Sequence, residues 1–204
     1  MRNYIDLSTV FSDDTFGDYN IVIDSEKYTA SDQLKNFYNI KNDFEIFSDV
    51  YLNKEDKTIM CTTEFELLTN KPFLDNANGD VLIFGLGLGL IVFPILNDTD
   101  ITSITIIEND ESIIEYIGNK ILEYDTDNKV TILSGDGYNY HTYMDQNEKY
   151  DTIFLDFWVE LNKENIEEIT LVKENYRSFL KDGNSILMSW CEDIKDLLIR
   201  SFNP

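Results

Sequence analysis

The sequence predicts an α/β fold: a mostly parallel sheet in a three-layer αβα arrangement, preceded by a small β-rich extension. From residue 79 onward, short apolar runs alternate with helical patterns, which is typical of βαβ units. These runs are apolar without interruption, which indicates strands that are covered on both faces. We expect strands at residues 81–84, 104–107, 130–133, 152–155 and 185–188. The predicted division places the extension at residues 1–75 and the main α/β domain at residues 76–204.

The extension is predicted from weaker patterns. Residues 1–18 are polar and rich in Asp, so we expect them to be loosely ordered. A short strand follows at 21–23, and then a helix that Ser31 caps, with Leu34, Phe37 and Tyr38 on one face. Residues 44–52 and 58–61 read as two strands joined by a polar turn at 53–57.

The connections in the main domain are predicted to be helical. A glycine-rich turn at residues 85–89 opens a helix that Pro94 shortens or kinks. Asn109 caps the next helix, and Gly183 provides a left-handed stop for a helix that contains Ile166 to Phe179. A final short helix is expected at 193–202. The apolar face of the second helix consists of Ile113, Ile114, Ile117 and Ile121.

Charge and composition restrict the partners. The chain of 204 residues has 16 Lys and Arg against 39 Asp and Glu, a net charge of −23. A phosphate backbone or an anionic membrane is therefore a disfavoured partner, whereas a small cationic molecule is a more natural one. Two isolated cysteines and one histidine argue against a zinc site and against a disulfide framework. Without an apolar signal core, we expect a soluble, cytoplasmic protein; a homodimer is left open.

Four features are predicted to converge on one ligand. The turn Gly85-Leu86-Gly87-Leu88-Gly89 follows the first strand, and glycines there allow close approach of a ligand. Glu108 ends the second strand, Asp136 follows the third, and Asp156 ends the fourth. Carboxyl ends of parallel strands near the reversal of strand order line one crevice, as in Rossmann-like folds. A dinucleotide is a poorer fit, because Leu90 stands where that fingerprint needs a small residue.

Each of these residues also has a purely structural interpretation. The glycine turn alone is a tight strand–helix connection, Glu108 alone stabilises a helix start, and Asp136 alone holds a turn. Phe157 and Trp158 are interpreted as packing residues that could also wall an aromatic slot. His141 is interpreted as a loop residue rather than a general base. The remaining predictions concern Cys61 and Cys191, which we expect to be buried small apolar residues.

The sequence resembles class I S-adenosylmethionine-dependent methyltransferases, especially their spermidine-synthase-like branch, over about residues 58–191. The resemblance is carried by Thr-Thr-Glu-Phe-Glu at 62–66, Gly-Asp-Gly-Tyr at 135–138, Lys-Tyr-Asp-Thr-Ile-Phe-Leu-Asp at 149–156 and Tyr-Arg-Ser-Phe-Leu-Lys-Asp-Gly at 176–183. It implies S-adenosylmethionine as cofactor and residues 76–204 as the domain that binds it. The implied roles are the methionine part of the cofactor for Gly85, Gly87 and Gly89, the ribose hydroxyls for Glu108, the adenine amino group for Asp136 beside Gly137, and the transferred group for Asp156.

The sequence also departs from that pattern. Aminopropyltransferases of the branch carry an Asp where Leu88 stands and a second Asp where Val159 stands. Many methyltransferases carry an acidic residue where Ile83 stands, and the strand pair that usually follows the fifth strand is not evident. The leading hypothesis is therefore methyl transfer to an amine or hydroxyl of a small molecule, with Asp156 as catalytic residue. The alternatives are aminopropyl transfer and cofactor binding without transfer.

Overall fold

The N-terminal third forms an antiparallel sheet. A computed structural model describes residues 2–40, 48–159 and 162–195. The strands β1 (Asp14–Phe16), β2 (Tyr19–Asp24), β3 (Asp49–Lys54) and β4 (Lys57–Cys61) pair in the order β1-β2-β3-β4. The predicted strand at 21–23 is thus confirmed within β2. The strand predicted at 44–52 is found as β3 from residue 49, and its residues 44–47 lie outside the described residues.

Residues 2–18 are ordered, contrary to the prediction from their polarity. A 3-10 helix spans Leu7–Thr9, and Asp6 Oδ1 accepts a hydrogen bond from the Ser8 N–H at 3.0 Å. The side chains of Leu7 and Phe11 are buried in the core, and Tyr4, Val10 and Phe16 pack against it, so apolar contacts order this Asp-rich segment. The prediction from polarity gave these apolar residues too little weight.

Two helices follow in the N-terminal third. Helix α1 (Asp32–Phe37) begins as predicted, because Ser31 Oγ accepts from the Leu34 N–H at 3.3 Å. Leu34 is buried, but Phe37 is exposed, so the predicted apolar face of α1 is incomplete. Helix α2 (Glu64–Asn76) was not predicted as a helix. Its signal was Thr63 before an acidic first turn, and it buries Leu67, Leu68, Phe73 and Leu74 in the core.

The end of α2 is held by Arg2. The guanidinium Nη1 donates to the carbonyls of Leu74 and Ala77, at 2.7 Å each, and Nε donates to Asp98 at 2.6 Å. Carbonyls in the last turn of a helix have no partner within the helix. A cation there donates hydrogen bonds to them and interacts favourably with the helix dipole.

We expect Arg2→Ala to lower the free energy of unfolding by about 2 kcal/mol, because two carbonyls and one carboxylate lose a charged donor. Urea denaturation of the whole chain measures this. Arg177→Ala is the matched control, since Arg177 forms an exposed ion pair with Glu174 and its loss should cost less than about 0.5 kcal/mol. Equal effects of the two substitutions would contradict the role of Arg2.

The main sheet has five parallel strands, as predicted. They are β5 (Gly79–Phe84), β6 (Ile101–Glu108), β7 (Val130–Ser134), β8 (Thr152–Leu155) and β9 (Ile186–Ser189), in the order β7-β6-β5-β8-β9. Alternate residues of β5 enter two cores, Val81 and Ile83 on one face and Leu82 and Phe84 on the other. The fold is therefore Rossmann-like α/β with an antiparallel N-terminal sheet. The division at residues 75 and 76 stays a prediction.

Helices cover both faces of this sheet. Helix α3 (Glu111–Ile113) continues through a π-helical turn (Ile114–Gly118) into α4 (Asn119–Tyr124). With α2, this helical segment packs on the face of Val81 and Ile83. Helix α5 (Lys163–Tyr176) packs on the opposite face, where Tyr176 is fully buried.

Four details of the predicted helices are wrong. No α-helix follows the glycine turn: the segment holds only a 3-10 helix at Phe93–Ile95, because Pro94 lacks an N–H and the glycines adopt positive φ. Asp110, not Asn109, caps α3, accepting from the Ser112 N–H at 2.9 Å. Ile114 is only half-buried. Helix α5 ends at Tyr176, so Gly183 is not its stop.

The end of the chain is described only to residue 195. A 3-10 helix at Glu192–Ile194 overlaps only the start of the helix predicted at 193–202, and residues 196–202 of that prediction lie outside the described residues. In the described part of the chain, no helix combines the length and the apolar character needed to cross a membrane.

Candidate functional site

A cavity of about 240 Å³ lies at the carboxyl ends of the parallel strands. Strand β5 pairs with β6 on one side and β8 on the other, so the strand order reverses at this point. Six of the seven residues that the sequence analysis selected line the cavity: Gly85, Gly87, Glu108, Asp136, Gly137 and Asp156. The carboxyl ends of β5, β6, β7 and β8 therefore bring these residues together.

The glycine turn forms the floor of the cavity. Gly85 has φ +94° and Gly87 has φ +50°, values that L side chains rarely adopt. A Cβ atom on Gly85 would overlap with the carbonyl oxygen of Asp156, and one on Gly87 would overlap with the sulfur of Met60. Gly89 is the exception among the selected residues, because it faces Ile121 and Phe93 in the core and not the cavity.

Glu108 joins the end of β6 to the glycine turn. Its carboxylate is buried; Oε2 accepts from the Leu86 N–H at 2.8 Å, and Oε1 accepts from the N–H groups of Asn109 and Asp110 at 2.8 and 3.0 Å. A carboxylate offers about four acceptor positions, so one is left for a hydroxyl of a ligand. Glu108 thus holds the turn and still presents acceptor capacity to the cavity.

Asp136 and Gly137 lie beyond β7 on the opposite side. Asp136 is exposed, and its carboxylate accepts from the Tyr138 N–H at 3.0 Å and from Asn139 Nδ2 at 3.2 Å. A Cβ atom on Gly137 would come within 2.7 Å of the Phe157 ring, while the Gly137 carbonyl accepts from the Tyr176 hydroxyl at 2.6 Å. The turn is therefore held against the aromatic residues that follow β8.

Aromatic side chains form the wall between Asp136 and Asp156. Phe157 and Trp158 stack with ring centroids 4.1 Å apart, and Tyr138 meets Phe157 edge-on at 4.8 Å. Glu168 of α5 accepts from the Tyr138 hydroxyl at 3.0 Å and from Trp158 Nε1 at 3.3 Å. All three rings line the cavity, so they pack against each other and also face a ligand space.

Among the described residues, Asp156 has no partner that compensates for the burial of its carboxyl. Desolvation raises the pKa of its carboxyl to about 7, and within the described residues no donor is seen on its carboxylate oxygens. A carboxyl that is desolvated without donors takes up a proton easily near neutral pH. A ligand that enters the cavity can therefore change the protonation state of Asp156.

A fourth carboxyl that lines the cavity was missed. Glu66, in the first turn of α2, lines the same cavity as Asp156. Burial raises the pKa of Glu66 to about 8, with a further contribution from the charge of Asp156. In the sequence, this stretch served only as part of the family resemblance, and a Glu in an unpredicted helix carried no other signal.

The N-terminal sheet covers the cavity. Tyr19 of β2 and Ile59 and Met60 of β4 line it, and Met60 Sδ accepts from the Leu88 N–H at 3.1 Å. The Tyr19 hydroxyl donates to Asp110 at 2.7 Å, which fixes this sheet beside the start of α3. The two sheets thus share the site.

The remaining candidates lie elsewhere or contribute differently. His141 packs edge-on against Tyr176, with ring centroids 5.6 Å apart, and does not line the cavity. Leu88 is fully buried in the core, whereas Val159 lines the cavity. Cys191 is buried as expected, but Cys61 is only half-buried and contacts the Thr63 hydroxyl at 3.3 Å.

The strand order and the crevice at the strand ends define a Rossmann-like α/β protein. The model of the Spermine/spermidine synthase domain family matches residues 62–188, more than half of the chain, and the chain belongs to this family. No curated protein matches the chain. The resemblance noted in the sequence is thereby confirmed at the level of the family.

Three solved structures show the range of similarity. They are a spermidine synthase from Thermotoga maritima (23% identity, 65% of this chain and 46% of that chain, TM-score 0.45), a putative caffeoyl-CoA O-methyltransferase from Staphylococcus aureus (23%, 60% and 55%, 0.43) and a glycopeptide N-methyltransferase complexed with S-adenosylmethionine (19%, 55% and 47%, 0.41). The chain spans about half the length of these proteins.

Proposed function

We propose that the chain binds S-adenosylmethionine and transfers its methyl group to an amine or hydroxyl of a small molecule. One observation carries this proposal: a single cavity is lined by the open glycine turn, by Glu108, by Asp136 and by Asp156. Membership of the family supports a transferase. We also propose that the acceptor is a small cationic molecule. The proposal further includes that the protein is soluble and cytoplasmic and that it binds neither nucleic acid nor a membrane.

The residues present fit such a cofactor. Gly85 and Gly87 line the cavity with no side chain of their own, Glu108 keeps one acceptor position for a ribose hydroxyl, and Asp136 lies next to the aromatic residues that line the cavity. When bound, S-adenosylmethionine supplies an electrophilic methyl group on a positively charged sulfur. The carboxylates of the cavity favour a cation electrostatically, and the rings of Phe157 and Trp158 exclude water from it.

Asp156 is placed for the proton of the acceptor. Its pKa of about 7 lets the carboxylate accept a proton from an amine or hydroxyl near neutral pH. The protein otherwise contributes position and desolvation, which are sufficient for an in-line displacement.

Aminopropyl transfer is the second candidate. The family and the presence of a second carboxyl, Glu66, favour it. Leu88 opposes it, because the position at which a branch Asp would hold the aminopropyl amine is fully buried in the core. The third candidate, a cofactor-binding protein without transfer, would show tight binding and no turnover.

We expect saturable binding of S-adenosylmethionine and of its demethylated product, S-adenosylhomocysteine, in isothermal titration calorimetry at concentrations up to millimolar. Absence of heat for both would contradict the proposal. Turnover is then tested on amines and phenols with S-adenosylmethionine, and on putrescine with the decarboxylated cofactor. Product in the second assay and none in the first would favour aminopropyl transfer.

A further inference from the structure

We propose that Glu66 supplies the second carboxylate of the transfer site, from helix α2, in place of the acid that is absent at Val159. The inference rests on the proposed function and adds a residue to it. Glu66 and Val159 line the same cavity as Asp156, so helix α2 supplies a carboxyl to a cavity in which the loop after β8 provides the apolar Val159.

The position of Glu66 is fixed by its helix. It lies in the first turn of α2, where a negative charge interacts favourably with the helix dipole, and Asn70 Nδ2 is 3.4 Å from its Oε2 atom. Trp190, which follows β9, lines the cavity beside it and donates from Nε1 to Thr69 on the next turn of α2 at 3.0 Å. The helix and the indole therefore hold the carboxyl at the cavity wall.

No positive charge balances this pair in the described part of the chain. The titratable groups that face Glu66 are Asp156 after β8, Tyr4 of the N-terminal segment, Cys61 of β4 and Cys191 after β9. Burial raises the pKa of the Tyr4 phenol and of both thiols, so these groups are neutral at pH 7. Burial raises the pKa of Glu66 to about 8 and that of Asp156 to about 7, and the charge of Asp156 adds to the shift of Glu66, so these two cavity-lining carboxyls are not both ionised near neutral pH.

Such a pair can accept the proton of the acceptor. As the nucleophile bonds to the methyl carbon, the carbon–sulfur bond breaks, its electron pair stays on sulfur, and the proton of the N–H or O–H group passes to the pair. The sulfonium becomes a neutral thioether, so charge and atoms balance with no further reactant. In the ionised pair, one carboxylate takes the proton while the other holds the nucleophile by a hydrogen bond.

The first test needs no acceptor. Carboxyl carbons are followed by ¹³C NMR during a pH titration of the wild type and of Asp156→Asn. We expect Glu66 to titrate near pH 8 in the wild type and at lower pH in the variant, because a like charge has been removed. Titration of Glu66 at the same pH in both proteins would overturn the pairing, whether or not the cofactor binds.

The second test is kinetic. In the wild type, the rate should rise with pH as the pair loses its protons. In Glu66→Gln, kcat for the best acceptor should fall about a hundredfold, and the rise of kcat with pH should occur at lower pH. The Kd of S-adenosylhomocysteine should change less than about threefold. Glu66→Asp should restore part of the rate. Asp75→Asn is the control, since Asp75 is also on α2 but pairs with Lys71 at 2.6 Å.

The outcomes separate the two proposals. An unchanged rate and pH profile in Glu66→Gln would overturn the role of Glu66 and leave the methyl transfer standing. Failure of the wild type to bind S-adenosylhomocysteine would overturn the proposed function, and with it the part of Glu66 in transfer.

Discussion

Gly85→Ala is expected to disrupt both the fold and the site. An L residue at φ +94° is strained by about 1–2 kcal/mol, and its Cβ would overlap with the Asp156 carbonyl oxygen. That oxygen cannot retreat easily, because the Asp156 N–H donates to the Phe84 carbonyl at 2.8 Å and so holds the strand end in place. We expect a loss of about 4 kcal/mol in the free energy of unfolding and a decrease of about 10 °C in Tm.

The matched control is Gly183→Ala. No atom lies within 4 Å of a Cβ placed on Gly183, and its φ lies outside the left-handed range. Thermal unfolding should therefore change little, by less than about 0.5 kcal/mol. S-adenosylhomocysteine calorimetry on both variants separates general destabilisation from loss of the site. A Gly85→Ala protein with wild-type Tm would show that the turn relaxes away from Asp156.

The parallel sheet could be predicted because its signal is local. Residues 152–155 are apolar or Thr, form one run and are all buried in β8, so composition alone located the strand. The convergence of Glu108, Asp136 and Asp156 followed from topology, since each stands at the carboxyl end of a parallel strand. Neither the strand positions nor the convergence of the three acidic residues depends on particular side-chain contacts.

The errors arise where a local pattern competes with tertiary packing. The glycine turn favoured a helix by analogy with other strand–turn–helix units, but Pro94 and three positive φ angles leave only a 3-10 helix. Gly89 was assigned to the ligand because it shares the turn, yet it packs against Phe93. Residues at a fixed spacing in one turn can thus face opposite sides.

Glu66 illustrates a residue that sequence could not assign. Asp156 is distant from it in the chain, and the two carboxyls line one cavity only because α2 packs on one face of the sheet, beside Trp190. An acidic first turn is common in helices for electrostatic reasons, so Glu66 carries no chemical signal of its own. Only the position of the helix shows that one of its acids enters the cavity.

Glu108→Ala is expected to have the second large effect. Three N–H groups, of Leu86, Asn109 and Asp110, would lose a charged acceptor in a buried position. We expect a loss of about 3 kcal/mol in the free energy of unfolding, measured by urea denaturation, and loss of S-adenosylhomocysteine binding, measured by calorimetry. Glu108→Gln should be milder, since one carbonyl oxygen still accepts while the amide nitrogen cannot.

His141→Ala is the control for the ribose assignment. His141 packs on Tyr176 outside the cavity, so its loss should reduce stability without weakening the affinity for S-adenosylhomocysteine. If Glu108→Ala and His141→Ala weaken binding equally, Glu108 serves only to hold the turn and the ribose hydroxyls bind elsewhere. If Glu108→Gln retains stability but loses affinity, the carboxylate of Glu108 both holds the glycine turn and binds the ligand. The loss of affinity then measures what the acceptor position left free by the three N–H groups contributes to ligand binding.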